Sequence, residues 1–169
     1  MKSLFSRKTF ALAGLLMASS FSVMANQAAQ LEVDNPFVRE MPPMAPATGA
    51  FMTLINTGDS SIAVVRAKSD AANTVELHTH INDGGVMRMR EIPEIAIDPM
   101  GQAELKPGGL HVMLIGPTRA LTEGDLVDIT LVMADGSEKT LQAPVRKIMG
   151  MGMGMGQGHQ GGHGMHRHH

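Results

Sequence analysis

Residues Leu126 to Pro144 read LVDITLVM, then ADGS, then EKTLQAP. Two short runs containing apolar and β-branched residues flank the turn Ala134-Asp135-Gly136-Ser137. Val, Ile and Thr are stiff at χ1 and pack well on a pleated surface, whereas Asp, Gly and Ser favour a turn. The stretch predicts strands at Leu126–Met133 and Glu138–Pro144 joined by that turn. The same punctuation recurs upstream at Asn56-Thr57-Gly58-Asp59, Asn82-Asp83-Gly84-Gly85, Asp98-Pro99-Met100-Gly101 and Lys106-Pro107-Gly108-Gly109. Between these turns lie candidate strands at Leu31–Val33, Phe37–Arg39, Gly49–Asn56, Ile62–Ser69, Val75–Ile81, Gly85–Ile92, Ile95–Ile97, Gln102–Leu105 and His111–Ile115. No convincing 3.6-residue periodicity crosses this region. The expected fold is all-β, a Greek-key β-sandwich or barrel, in a domain placed at residues 26–147.

The two ends differ from this domain. Lys2, Arg7 and Lys8 precede an apolar run from Phe10 to about Val23, followed by Val23-Met24-Ala25. This reads as a secretory signal peptide over residues 1–25, cut near Ala25 to leave Asn26. The apolar run is too short and wrongly flanked for a spanning helix, so no membrane insertion is expected. The expected location is the periplasm of a Gram-negative cell. Residues 148–169 form the other end, closing on MGMGMGQGHQGGHGMHRHH from Met151. Gly is too frequent there for a packed structure, and a disordered tail of soft and borderline metal ligands is expected.

Composition narrows the function. Lys and Arg total 14 and Asp and Glu total 16, so there is no basic excess for nucleic acid. There are 16 Met, 8 His and no Cys. The absence of Cys excludes a disulfide scaffold and fits an oxidising compartment, where exposed thiols are damaged. Neither a nucleophile motif nor a nucleotide loop is visible, so a binding protein is expected and not an enzyme.

Inside the domain the only histidines are His78, His80 and His111. From His78 the spacing runs H-x10-M-x21-H-x-M through Met89, His111 and Met113. Side chains two apart on a strand share a face, so His111 and Met113 point the same way, opposite Leu110, Val112 and Leu114. His80 and Glu76 share the face of His78, and Met87 shares that of Met89. The ligand atoms are thus expected on a face that packing does not need. Thioether sulfur is soft and neutral imidazole borderline, so this set suits Cu(I) better than Zn(II). His80 and Met87 are secondary candidates. So are Met151, Met153, Met155, His159, His163, His166, His168 and His169 in the tail, where Cu(II) is a second candidate ion.

The strings VELHTH (Val75–His80), GVMRMR (Gly85–Arg90), ELKPGGLHVML (Glu104–Leu114) and MPP (Met41–Pro43) resemble the PCuAC family of periplasmic copper(I) chaperones. The likeness covers about Leu31 to Pro144. It implies a cupredoxin-like fold and a Cu(I) site whose His, Met, His and Met ligands fall on His78, Met89, His111 and Met113. It further implies delivery toward the CuA site of cytochrome c oxidase, with that CuA-bearing subunit, a Sco-type protein, or both as partners. The alternative is a periplasmic copper buffer serving storage or resistance.

Overall fold

The computed structural model describes residues 26–42 and 44–148. The expected signal segment and nearly all of the expected tail lie outside the described residues. A one-turn helix, α1 (Gln27–Gln30), opens the domain, and the Asn26 side chain accepts a hydrogen bond from the Ala29 amide at 3.2 Å. Ten strands follow: β1 (Leu31–Arg39), β2 (Ala47–Asn56), β3 (Ile62–Lys68), β4 (Ala72–Asp83), β5 (Val86–Glu91), β6 (Ile95–Ile97), β7 (Gln102–Leu105), β8 (His111–Pro117), β9 (Leu126–Met133) and β10 (Glu138–Arg146).

The strands make two sheets of a cupredoxin-like Greek-key sandwich. One runs β5-β4-β8-β2-β1, with β7 also on β2; the other runs β10-β9-β3-β6. A short parallel seam, Val38 with Val145 and Arg39 with Arg146, joins them. Among the described residues, every other strand-to-strand pairing is antiparallel. The hairpin read from the sequence is present: β9 and β10 pair from Leu126–Pro144 to Val132–Glu138. Val127, Ile129, Leu131 and Met133 alternate inward on β9 and are buried. They meet Leu54, Val112 and Leu114 from the other sheet in one core. Each such side chain contributes about 1.5–3 kcal/mol on leaving water. β2 is buried along most of its length, as expected for a central strand flanked by β1, β7 and β8. The side-chain amide of Asn56, at its end, donates to the Ser60 and Asp98 carbonyls at 2.8 and 2.9 Å, tying β2 to the end of β6.

Two local details differ from the sequence reading. The expected strands at Leu31–Val33 and Phe37–Arg39 are halves of the single strand β1. They are divided by an irregularity between Asp34 and Phe37, where Asn35 sits at φ 48°. Pro36 has no amide to donate there, so the chain bulges and resumes pairing instead of turning. The turn expected at Asn82–Gly85 is tighter. Asn82 and Asp83 stay in β4, and Gly84 and Gly85 alone form the loop at φ 61° and 90°. Positive φ at both central residues matches the twist of a two-residue hairpin.

Candidate metal centre

Three adjacent strands carry the residues singled out from the sequence. β8 lies between β2 and β4, and β5 closes the sheet edge. In register, His78 faces His111, Glu76 faces Met113, and His80 faces Met89. On the far side of β8, Gly49 faces Met113. Directly opposed residues share a sheet face. His78, Met89, His111 and Met113 therefore share one face, with His80 and Glu76 among them. Leu77, Val112 and Leu114 alternate onto the other face and are buried in the core.

Met89, His111 and Met113 line one cleft of about 470 Å³, together with Gly49, Phe51 and Pro107. His78 stands across the β4–β8 pair, with its ring centroid 5.7 Å from that of His111. His80 comes slightly nearer, at 5.3 Å. Met87 is one alternation further toward the hairpin tip, opposite Asn82, and is exposed. Met44, in the MPPMAP segment, is 98% exposed and lines a separate groove with Met41 and Pro42. Met52 and Met133 are core residues and Met100 sits in a turn. Met151, Met153, Met155, His159, His163, His166, His168 and His169 lie outside the described residues.

The face is not free of packing throughout, which corrects the sequence expectation. His111 is only 3% exposed. The Phe51 ring lies against it, centroid to centroid 6.2 Å, and Phe37 backs Phe51 at 5.3 Å. The Arg146 guanidinium covers Phe37 at 5.4 Å. Gly49 makes room for this stack, because a Cβ there would stand 2.8 Å from Phe51 Cζ. Neither Gly49 nor Phe51 was legible as a site residue, since no local pattern tells which ring will cover a distant strand.

Burial sets the protonation of His111. Desolvation holds its pKa below the ordinary 6.5, and repulsion from His80 and His78 acts in the same direction against the Gly109 hydrogen bond. His111 Nδ1 lies 3.0 Å from the Gly109 carbonyl and donates to it. That places the proton of the neutral ring on Nδ1 and leaves Nε2 with its lone pair. The folded state holds the second proton, the one that would charge the ring at Nε2, less tightly than the unfolded chain does. The stability linked to His111 is fully present above 6.5 and is lost as pH falls through 6.5 to the lowered folded value. In an NMR titration of the apo protein, the His111 ring should titrate below 6.5. A midpoint at or above that value would contradict the burial.

His78 is held differently. Its Nε2 donates to Glu76 Oε2 at 2.7 Å. Its Nδ1 is buried and has no hydrogen-bond partner among the described residues. Buried ring nitrogens are rarely left unpaired, and a coordinated ion satisfies one as a hydrogen bond would. Among the described residues, no three His, Asp or Glu side chains gather as a metal-holding group. The thioether-bearing side chains of Met89 and Met113 stand on the same face as these imidazoles. The resulting donor set is neutral and soft.

The chain matches the LpqE-like family, named for a lipoprotein, over residues 31–145. It is 36% identical over 104 residues to Lxx21020 of Leifsonia xyli subsp. xyli, also named as a lipoprotein; the match covers 61% of this chain and 63% of that protein's length. It is 31% identical over 140 residues to RP573 of Rickettsia prowazekii, covering 76% of this chain and 77% of the relative. Among solved structures it is similar to apo-DR1885 of Deinococcus radiodurans (31% identity, TM-score 0.57, 88% of this chain and 98% of that one). It is also similar to DR1885 of the same organism described as CuI-DR1885 (34% identity, TM-score 0.59, 73% and 85%). The copper-bound PCuAC domain from PmoF2 shares the fold, at 21% identity and TM-score 0.60, over 70% of this chain and 94% of that domain. The chain belongs to the LpqE-like family and is a PCuAC-family protein.

Proposed function

We propose that this protein binds one Cu(I) through His78, Met89, His111 and Met113 and passes it to another protein, without catalysing a reaction. The observation that carries this reading is the common-face placement of four soft or borderline donors, three of them lining one cleft. Neutral thioethers and imidazoles leave the charge of the ion uncompensated. That favours the monovalent ion and keeps it releasable. Membership in the family, and likeness to a protein described as CuI-DR1885, support copper as the cargo. His80 and Met87 act as neighbours of the site. The tail after Ile148 supplies further Met and His ligands, with Cu(II) an additional ion for its histidine-rich end.

Export to the periplasm, with cleavage near Ala25, is part of the proposal, and the lipoprotein names in the family accord with export. Lipid attachment through a cysteine is not, since the sequence has none. The CuA-bearing subunit of cytochrome c oxidase and a Sco-type protein are proposed as recipient or partner on the family resemblance. Storage is the second reading, favoured by the density of ligands after Ile148.

Cu(I) titration under reducing conditions tests the binding. A chain ending at Ile148 should take up one tightly held ion, and the full chain more. No tight ion in the shorter chain would overturn the core site. Glu76 gives a finer test because it anchors His78. Glu76→Ala should weaken Cu(I) binding about 10–100-fold in competition with a chromophoric chelator, the usual cost of losing a group that orients a ligand. Glu76→Gln, which keeps a carbonyl acceptor, should lose less.

A further inference from the structure

The face that carries the candidate ligands does not end at β8. Gly49 on β2 faces Met113, and Phe51, two residues on, faces Phe37 on β1. Opposed residues and residues two apart on a strand share a face. The four proposed donors and the two phenyl rings therefore stand on one continuous face that runs from β5 to β1.

Phe51 is where the two halves meet. It lines the cleft beside Met89, His111 and Met113, yet is only 5% exposed. Its ring is held from several sides. Phe37 lies against it at 5.3 Å and His111 at 6.2 Å, centroid to centroid. The ring folds back over Gly49, where a Cβ would stand 2.8 Å from Cζ. Arg146 covers Phe37 at 5.4 Å, and its Nη1 donates to Asn35 Oδ1 at 2.9 Å. The ring cannot swing out of the cleft without displacing these neighbours.

A phenyl ring is no ligand for copper here; it decides what else can reach the ion. Cu(II) favours tetragonal nitrogen and oxygen sets, whereas thioethers favour Cu(I). Cu(II) also carries twice the charge, so it suffers more where water is kept away. The apolar surroundings of a metal site control solvent access and local dielectric, and through them its reduction potential.

We propose that Phe51 is a specificity-determining residue: its ring closes the β2 side of the cleft against water and so favours Cu(I) over Cu(II). This rests on the assignment of the cleft as the Cu(I) site. The donors select a soft ion, and the ring denies the harder ion the oxygen ligands it would add.

Three substitutions test it. Phe51→Ala and Phe51→Val remove the ring, and Phe51→Leu keeps much of its apolar bulk. Val suits a strand and carries the test if the alanine variant does not fold. All are made in the full-length chain with His159, His163, His166, His168 and His169 replaced by Ser, so that Cu(II) reports on the cleft. Chelator competition gives the Cu(I) and Cu(II) dissociation constants, and redox titration gives the potential. Electron–nuclear double resonance in heavy water detects water on Cu(II). With the ring removed, Cu(I) affinity should stay within about threefold, since no ligand is lost, while Cu(II) should bind about tenfold more tightly, the lower end of what groups surrounding a metal site contribute. The potential should fall by about 59 mV for that tenfold change in a one-electron couple. A deuterium signal from bound water should appear, and Phe51→Leu should stay near the parent on every measure. An unchanged potential in Phe51→Val, with both affinities unaltered or falling together, would overturn the proposal and leave the Cu(I) site standing. No tight Cu(I) in the parent with Phe51 intact would overturn the site itself, and the proposal with it.

Discussion

Replacing His111 by leucine should lower Cu(I) affinity about a thousandfold or more and leave the sandwich folded. The size follows from what the residue does. Removing a group that merely orients a ligand costs about 10–100-fold, and removing the ligand itself costs more. The fold survives because leucine fills much of the same space beside Phe51. Only the hydrogen bond to the Gly109 carbonyl is lost, which is worth about 1 kcal/mol. His80 is the internal control. Its ring is also near His111, but its Nδ1 lies 3.5 Å from the same carbonyl, at the limit of a hydrogen bond. His80→Leu should change affinity by less than about tenfold, less than losing even a well-placed orienting partner. Chelator competition on folded samples, with urea midpoints as the fold check, measures both. Equal losses for the two variants would mean that His111 is no more a ligand than His80.

The opposite face of the same strand should behave in the opposite way. Leu114 is fully buried, and pairs with Thr48 on β2 and Val75 on β4. Leu114→Ala should cost about 2–5 kcal/mol of stability, the transfer loss plus the cavity left behind. It should leave the ligand set intact, because Met113 and Leu114 point to different faces. Urea denaturation should show the loss. Cu(I) at about a hundred times its dissociation constant should restore about 2.7 kcal/mol, since an ion that binds only the folded state stabilises it by mass action. A folded Leu114→Ala protein that no longer binds copper would contradict the separation of the two faces.

The sequence carried the strand pattern and the parity of the candidate ligands. The period of two along β4 and β8 assigned Glu76, His78, His80, His111 and Met113 to one side, and Val112 and Leu114 to the other, as the register bears out. Two glycines with positive φ closed the β4–β5 hairpin where turn chemistry placed them. What local pattern did not carry was adjacency. His78 and His111 are distant in sequence and become neighbours only because β8 inserts between β4 and β2. The same long-range pairing brings Gly49 opposite Met113 and lays Phe51 over His111. That cover turned a face expected to be open into one that is partly buried. It also lowers the pKa of His111, which depends on desolvation and so on tertiary packing. Glu76 was visible as a neighbour two residues from His78, but its bond to Nε2 required side-chain geometry. The bulge in β1 followed from Asn35 and Pro36, whose influence reads equally well as a strand end.

X-ray absorption at the copper edge of the Cu(I)-loaded chain ending at Ile148 tests the central claim most directly. The four proposed ligands on that face are two imidazoles and two thioethers. The spectrum should therefore require nitrogen and sulfur scatterers together, about two of each, with sulfur reduced by one in Met113→Leu. A first shell of nitrogen and oxygen alone, unchanged by that substitution, would contradict it.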